Sequence, residues 1–131
     1  MPRLTRILLF HEDSAASESL RSRLVSEGFD VATSRTFLEA APHLMAGRTD
    51  LLLIQLPETE WVRNAILTEV RRAHPALPIV ALTPAVSPEL GQVLARLGVA
   101  TVPPTGDGWT GLVETLHRAL KASDPASGGQ R

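Results

Sequence analysis

The chain has 131 residues, with 13 basic and 14 acidic side chains and no cysteine. This length predicts a single domain, and the lack of cysteine excludes disulfides, zinc-thiolate sites and thiol catalysis. Because the net charge is only -1, no global field attracts a polyanion or an anionic membrane, and we expect no nucleic-acid binding by this chain alone.

Five short apolar runs alternate with segments of helical periodicity along the chain. This alternation predicts a parallel sheet covered by helices on both faces. The predicted strands cover residues 7–10, 29–32, 51–54, 79–82 and 99–102. No apolar run approaches the length of a membrane span, so we expect a cytoplasmic protein without membrane contact.

Apolar stripes with a spacing near 3.6 residues predict a helix after each strand. The stripes cover residues 16–24, 37–44, 62–70, 90–97 and 112–120. The expected helix ends are Gly28, Gly47 and Gly98, and the expected N-caps are Asp13 or Ser14, Ser34 or Thr36, and Ser87. We expect Arg71, Arg72 and Arg96 to lie on solvated helix faces.

These elements predict an α/β fold of the flavodoxin-like (βα)5 type, a doubly wound sandwich whose five parallel strands have the order 2-1-3-4-5. In such a sheet the functional crevice lies beyond the carboxyl ends of the strands, between strands one and three. We expect residues 1–122 to form the domain and residues 123–131, which lack a large apolar side chain, to form a flexible tail.

Four segments follow one another at a spacing typical of one family. They are residues 6–13 (RILLFHED), 27–31 (EGFDV), 50–55 (DLLLIQ) and 78–83 (PIVALT). In order and separation they resemble the receiver (CheY-like) domain of two-component response regulators. The first is similar to the family's opening strand with its acidic pair, and the last two look like its third and fourth strands.

The resemblance implies a phosphorylation site, and the chain departs from it at most positions. A receiver needs a carboxylate nucleophile, two acids that hold a divalent cation, a hydroxyl and a lysine. Gln55 stands at the nucleophile position, His11 at the first acidic position and Thr105 at the lysine position. Lys121, the only lysine, lies far downstream, and Thr83 alone keeps the hydroxyl.

Glu12 matches the remaining metal acid, and Asp13 follows it directly. Magnesium prefers carboxylate oxygens, so the loss of two acids predicts weak or absent Mg²⁺ binding and no cofactor. Each of these residues also has an alternative, purely structural role. Glu12 and Asp13 can serve as negative charge near a helix N-terminus, Gln55 as a neutral hydrogen-bonding residue, and His11 as a partly exposed strand-end histidine. Thr83 can also simply bond the loop after its strand.

The resemblance therefore implies a degenerate pseudo-receiver without the phospho-acceptor aspartate: a non-enzymatic domain that acts by binding signalling proteins. In receivers the face formed by the fourth helix, fifth strand and fifth helix carries output and dimer contacts. Arg96, Val102 and Trp109 are the candidate interface residues on that face, which we call the fourth-helix to fifth-helix face, and a homodimer through it is one option. Val102 also replaces the family's aromatic switch residue.

A second hypothesis is a small-molecule sensor that uses the vacated crevice. Gln55, Thr83, Thr105 and His11 would then supply neutral polar contacts. Trp61, six residues after Gln55, is expected beside the crevice, either packed in the core or covering the pocket and anchoring a partner.

Overall fold

The computed structural model describes residues 4–83, 86–102 and 108–123, without the side chains of 108–110 and 123. Strands and helices alternate along the whole described chain. The strands are β1 (Arg6–Phe10), β2 (Asp30–Ser34), β3 (Leu51–Gln55), β4 (Ile79–Leu82) and β5 (Val99–Val102), and the helices are α1 (Ser14–Ser26), α2 (Phe37–Met45), α3 (Glu60–Ala73), α4 (Pro88–Leu97) and α5 (Gly108–Ser123).

The five strands form one sheet of order β2-β1-β3-β4-β5, and the pairings β1–β2, β1–β3 and β4–β5 are parallel. The predicted fold class and strand order are confirmed. By its contacts the chain divides into two compact units, Met1–Gln55 and Leu56–Arg131.

In the first unit, β1 lies between β2 and β3. Residues 7–10 and 51–54 are all buried, because a central parallel strand is covered on both faces. Helices α1 and α2 both pack against β1 and β2. Leu24 and Leu44, each buried, are the main apolar contributions of these two helices to the core.

The second strand differs from its prediction, since it begins at Asp30 and ends at Ser34. The apolar run placed it at residues 29–32. Parallel pairing with β1 sets the real bounds, because Arg6 opposes Asp30 and Phe10 opposes Ser34. Phe29 instead belongs to the turn, where its N–H donates to the carbonyl of Leu24 at 3.2 Å.

The helix N-termini resolve the predicted alternatives. Asp13 caps α1, Thr36 caps α2 and Ser87 caps α4, each through its side-chain oxygen. At the other end of α4, Gly98 has φ +70. Only glycine adopts this left-handed conformation without a steric cost, which explains why α4 ends there.

In the second unit, β4 is buried along its whole length and pairs with β5. Helices α4 and α5 both pack against β5. The buried face of α3 is centred on Leu67 and Val70. Among the described residues, no helix combines the length and the apolar character that a membrane crossing requires.

Candidate functional site

Gln55 ends β3 and His11 directly follows β1, at the same level of two neighbouring strands. The register pairs Phe10 of β1 with Ile54 of β3, so the next residue along each strand is His11 and Gln55. Gln55 ends β3 and is half-buried. The structure therefore places these two residues together at the carboxyl edge, where α/β sheets bind their ligands.

His11 is buried, with 6% of its surface exposed, so the expectation of a partly exposed histidine is wrong. Its backbone N–H donates to the carbonyl of Ser34 at 3.0 Å, and its Nδ1 accepts the N–H of Asp13 at 3.1 Å. Burial lowers the pKa of His11, and the charges of Asp13 and Glu12 partly oppose that shift. A buried imidazole whose Nδ1 already accepts a hydrogen bond thus stands at the position where the resemblance implies an acid.

Asp13 acts as a helix cap. Its Oδ1 accepts the N–H of Ala15 at 2.9 Å and that of Ala16 at 3.1 Å. These two bonds, with Ala16 contributing more, lower the pKa of the Asp13 carboxyl, because they stabilise its charged form. One carboxylate oxygen of Asp13, which we predicted as a metal ligand, is therefore already hydrogen-bonded to the backbone of α1.

Glu12 is exposed, and its carbonyl accepts the Nε–H of Arg35 at 3.4 Å. Within the part of the chain that the structure describes, no group of three acidic or histidine side chains is placed to hold a metal ion. Weak or absent Mg²⁺ binding remains a prediction.

A groove of 340 Å³ opens beside Glu12, and Arg35, Thr36 and Glu39 also line it. Glu39 accepts the N–H of Arg35 at 2.8 Å through Oε1, and its own N–H donates to Thr36 Oγ1 at 3.1 Å. The arrangement resembles a capping box at the start of α2, except that the Glu39 carboxylate accepts the N–H of Arg35, which precedes the N-cap residue Thr36. The groove is charged, and among its described lining residues Glu12 is the only member of the predicted site.

In the second unit, Thr83 follows β4 and is buried. Its N–H donates to the carbonyl of Val102 at 3.0 Å, which extends the β4–β5 ladder by one residue. Val102 is only 5% exposed, so its side chain is not available to a partner, and its prediction as an interface residue is wrong. Thr105 lies outside the described residues, as does the side chain of Trp109.

Two other predicted positions are on the surface. Arg96 is exposed in the last turn of α4, as expected. Trp61 is 74% exposed in the first turn of α3, so the core-packing alternative for this tryptophan is wrong. Whether Trp61 covers a pocket or anchors a partner stays a prediction.

Arg71 is the residue whose role the sequence did not reveal. It is half-buried and is not a solvated side chain as expected. Its guanidinium donates to five backbone carbonyls: Leu97 at 2.7 Å, Leu77 at 2.7 Å, Pro75 at 3.0 Å, His74 at 3.1 Å and Gly98 at 3.4 Å. Its position four residues after buried Leu67, on the same helix face, was the available signal.

No family model matches the chain. It is 27% identical over 124 residues to the transcriptional regulatory protein GlrR of Escherichia coli, an alignment that covers 92% of this chain and 27% of that protein. The chain thus spans about a quarter of the length of the curated relatives it matches.

Solved structures match over nearly the whole chain. A response regulator receiver domain protein (CheY-like) from Methanospirillum hungatei superposes with a TM-score of 0.75 at 22% identity, covering 92% of this chain and 97% of that one. The chain has the receiver fold. The signal receiver domain of an HD domain-containing protein from Pseudomonas fluorescens has the same receiver fold, with a TM-score of 0.79 at 18% identity and coverage of 92% and 98%.

Proposed function

We propose that the chain is an atypical receiver domain of two-component or phosphorelay signal transduction that is not phosphorylated at the usual position. The observation that carries this proposal is Gln55, which ends β3 of a receiver fold where the resemblance requires an aspartate. A neutral amide oxygen is a poor nucleophile toward phosphorus, so no aspartyl phosphate forms at this position.

The neighbours of Gln55 support the same conclusion. Phosphoryl transfer needs a divalent cation that neutralises developing charge. His11 brings a buried imidazole whose pKa is lowered, and one oxygen of Asp13 is held by the backbone of α1. We therefore propose that Mg²⁺ binding is weak or absent and that the domain is not an enzyme.

Signalling then proceeds by protein–protein interaction. We assign the contact to the fourth-helix to fifth-helix face, formed by α4, β5 and α5, with signalling proteins or a second copy of the chain as partners. Arg96 is exposed there, and buried Val102 pairs with Leu82 at the end of the β4–β5 ladder. The proposed location is the cytoplasm, where two-component partners operate.

The test is incubation with acetyl phosphate and Mg²⁺, followed by intact-mass spectrometry. We expect no added phosphoryl group. A mass increase of one phosphoryl group that hydroxylamine removes would overturn the proposal, because hydroxylamine cleaves acyl phosphates. Peptide mapping of any phosphorylated product would then identify the accepting residue.

A further inference from the structure

A groove of 690 Å³ runs along the second unit, away from the carboxyl ends of β4 and β5. The end of α3, the loop after it, the end of α4, the start of β5 and the second half of α5 all contribute to its lining. Three arginines line it, and we call it the arginine groove; its lining includes Arg71, Arg96, Arg118, Leu77, Leu97 and Ala119.

The polar groups of this groove favour one kind of ligand. Arg71 already donates to the carbonyls of Leu97, Leu77 and Gly98, so these acceptors have a partner within the chain. Arg96 and Arg118 are exposed, and neither forms an ion pair with another described residue. The charged side chains that the groove exposes to a partner are therefore two cationic donors, for which carboxylates are suitable acceptors.

The other lining residues are mostly apolar. Leu77, Leu97 and Ala119 are half-buried and leave aliphatic surface for a partner to cover. Of the described lining residues none is acidic. A small anion would use the two arginines but leave this apolar surface exposed, whereas a nucleic acid would require a wider basic field than a chain with net charge -1 supplies.

We propose that the arginine groove binds an acidic segment of a partner protein, with carboxylates on Arg96 and Arg118 and aliphatic side chains against the apolar lining. This mode combines a hydrophobic anchor with charge-assisted hydrogen bonds, as in peptide recognition by grooves. The inference deepens the proposed interaction function, since it names the partner's chemistry and the site on this unit that receives it.

The test is selection from a random dodecapeptide phage library on the wild-type protein, with counter-selection against the double variant Arg96→Glu, Arg118→Glu. We expect the enriched peptides to combine Asp or Glu with Leu, Ile or Val. The best synthetic peptide is then titrated by fluorescence anisotropy. Each single charge reversal should weaken binding by roughly tenfold or more.

Lys121→Glu is the matched control, because Lys121 is an exposed cation on the same helix as Arg118 but does not line the groove. It should change affinity by less than about twofold. Circular dichroism of every variant verifies that the fold is retained, and a conservative Arg96→Gln change separates loss of charge from charge repulsion.

Three outcomes of the peptide experiments would overturn the assignment: enrichment of neutral or basic peptides, binding that neither charge reversal weakens, or no enrichment over the double variant. A dimer in sedimentation velocity that the same reversals dissociate would place a second copy of the chain in the groove, and would also overturn it. Phosphoryl uptake by the chain would refute the proposed function without altering any of these results.

Discussion

The Nε of Arg71 donates to the carbonyl of Leu97 at 2.7 Å, across 26 residues of sequence. Leu97 ends α4, and Arg71 itself lies in the last turn of α3. Because unpaired carbonyls give the carboxyl end of a helix a partial negative charge, one cation stabilises the ends of two helices and the loop between α3 and β4.

We predict that Arg71→Ala destabilises the protein by about 2 kcal/mol or more, since hydrogen bonds to a charged group are lost and several carbonyls lose their donor. Arg71→Lys should recover only part of this loss, because an ammonium cannot reach five carbonyls at once. Urea denaturation measures the free energy of unfolding of both variants. Arg72→Ala is the matched control, and equal losses at the two positions would contradict the assigned role.

His11 predicts a specific pH dependence. Burial lowers its pKa below the ordinary value of about 6.5, so on falling pH the unfolded chain takes up a proton before the folded chain does. Stability should therefore decrease from roughly pH 6.5 down to the folded pKa. His11→Asn, which keeps an acceptor for Asp13, should have a flatter curve. Denaturation between pH 7.5 and 5 tests this, and parallel curves for the two proteins would refute it.

Gln55→Asp restores the missing carboxylate but leaves His11 and Thr105 unchanged. We expect little or no phosphoryl uptake from acetyl phosphate, since a nucleophile without its cation and lysine lacks the charge stabilisation that the reaction requires. Intact mass after treatment gives the answer. Stoichiometric phosphorylation of the variant would show that the rest of the site is competent, and that Gln55 alone blocks it.

Leu53 lies in the middle of β3 and is fully buried. Leu53→Ala should cost about 2–5 kcal/mol, the usual range for a large-to-small change in a core. Truncation after Ala122 should change stability by less than about 0.5 kcal/mol, because residues 123–131 contain no large apolar side chain. Thermal or urea denaturation compares the two, and a larger loss on truncation would show the domain boundary to be wrong.

The core strands could be predicted because burial on both faces requires continuous apolar sequence, as in residues 51–54. The edge strand β2 was misplaced for the opposite reason. Thr33 is exposed and Ser34 is polar, and hydrogen bonding to β1, not hydrophobicity, extends the strand over them. A pattern of apolar residues contains no information about backbone pairing at the edge of a sheet.

The candidate site likewise has features that the sequence predicted and features that it did not. The position of Gln55 followed from the end of an apolar run. The burial of His11 did not, because it depends on the surrounding elements, including the bond from His11 to Ser34 of β2. Trp61 shows the reverse error: its apolar ring suggested the core, but the first turn of α3 leaves it exposed. The role of Arg71 could not be predicted either, because the carbonyls that it binds lie at the ends of two helices that meet only in the folded chain.

Lys121 carries the only side-chain amine of the chain, and it is exposed on α5 three residues beyond Arg118. Among the side chains, an amine-acylating reagent will therefore modify one defined position beside the arginine groove, while the α-amino group of the chain is a second reactive amine. A fluorophore attached there through an activated ester would report occupancy of the groove by quenching or anisotropy, without an engineered cysteine.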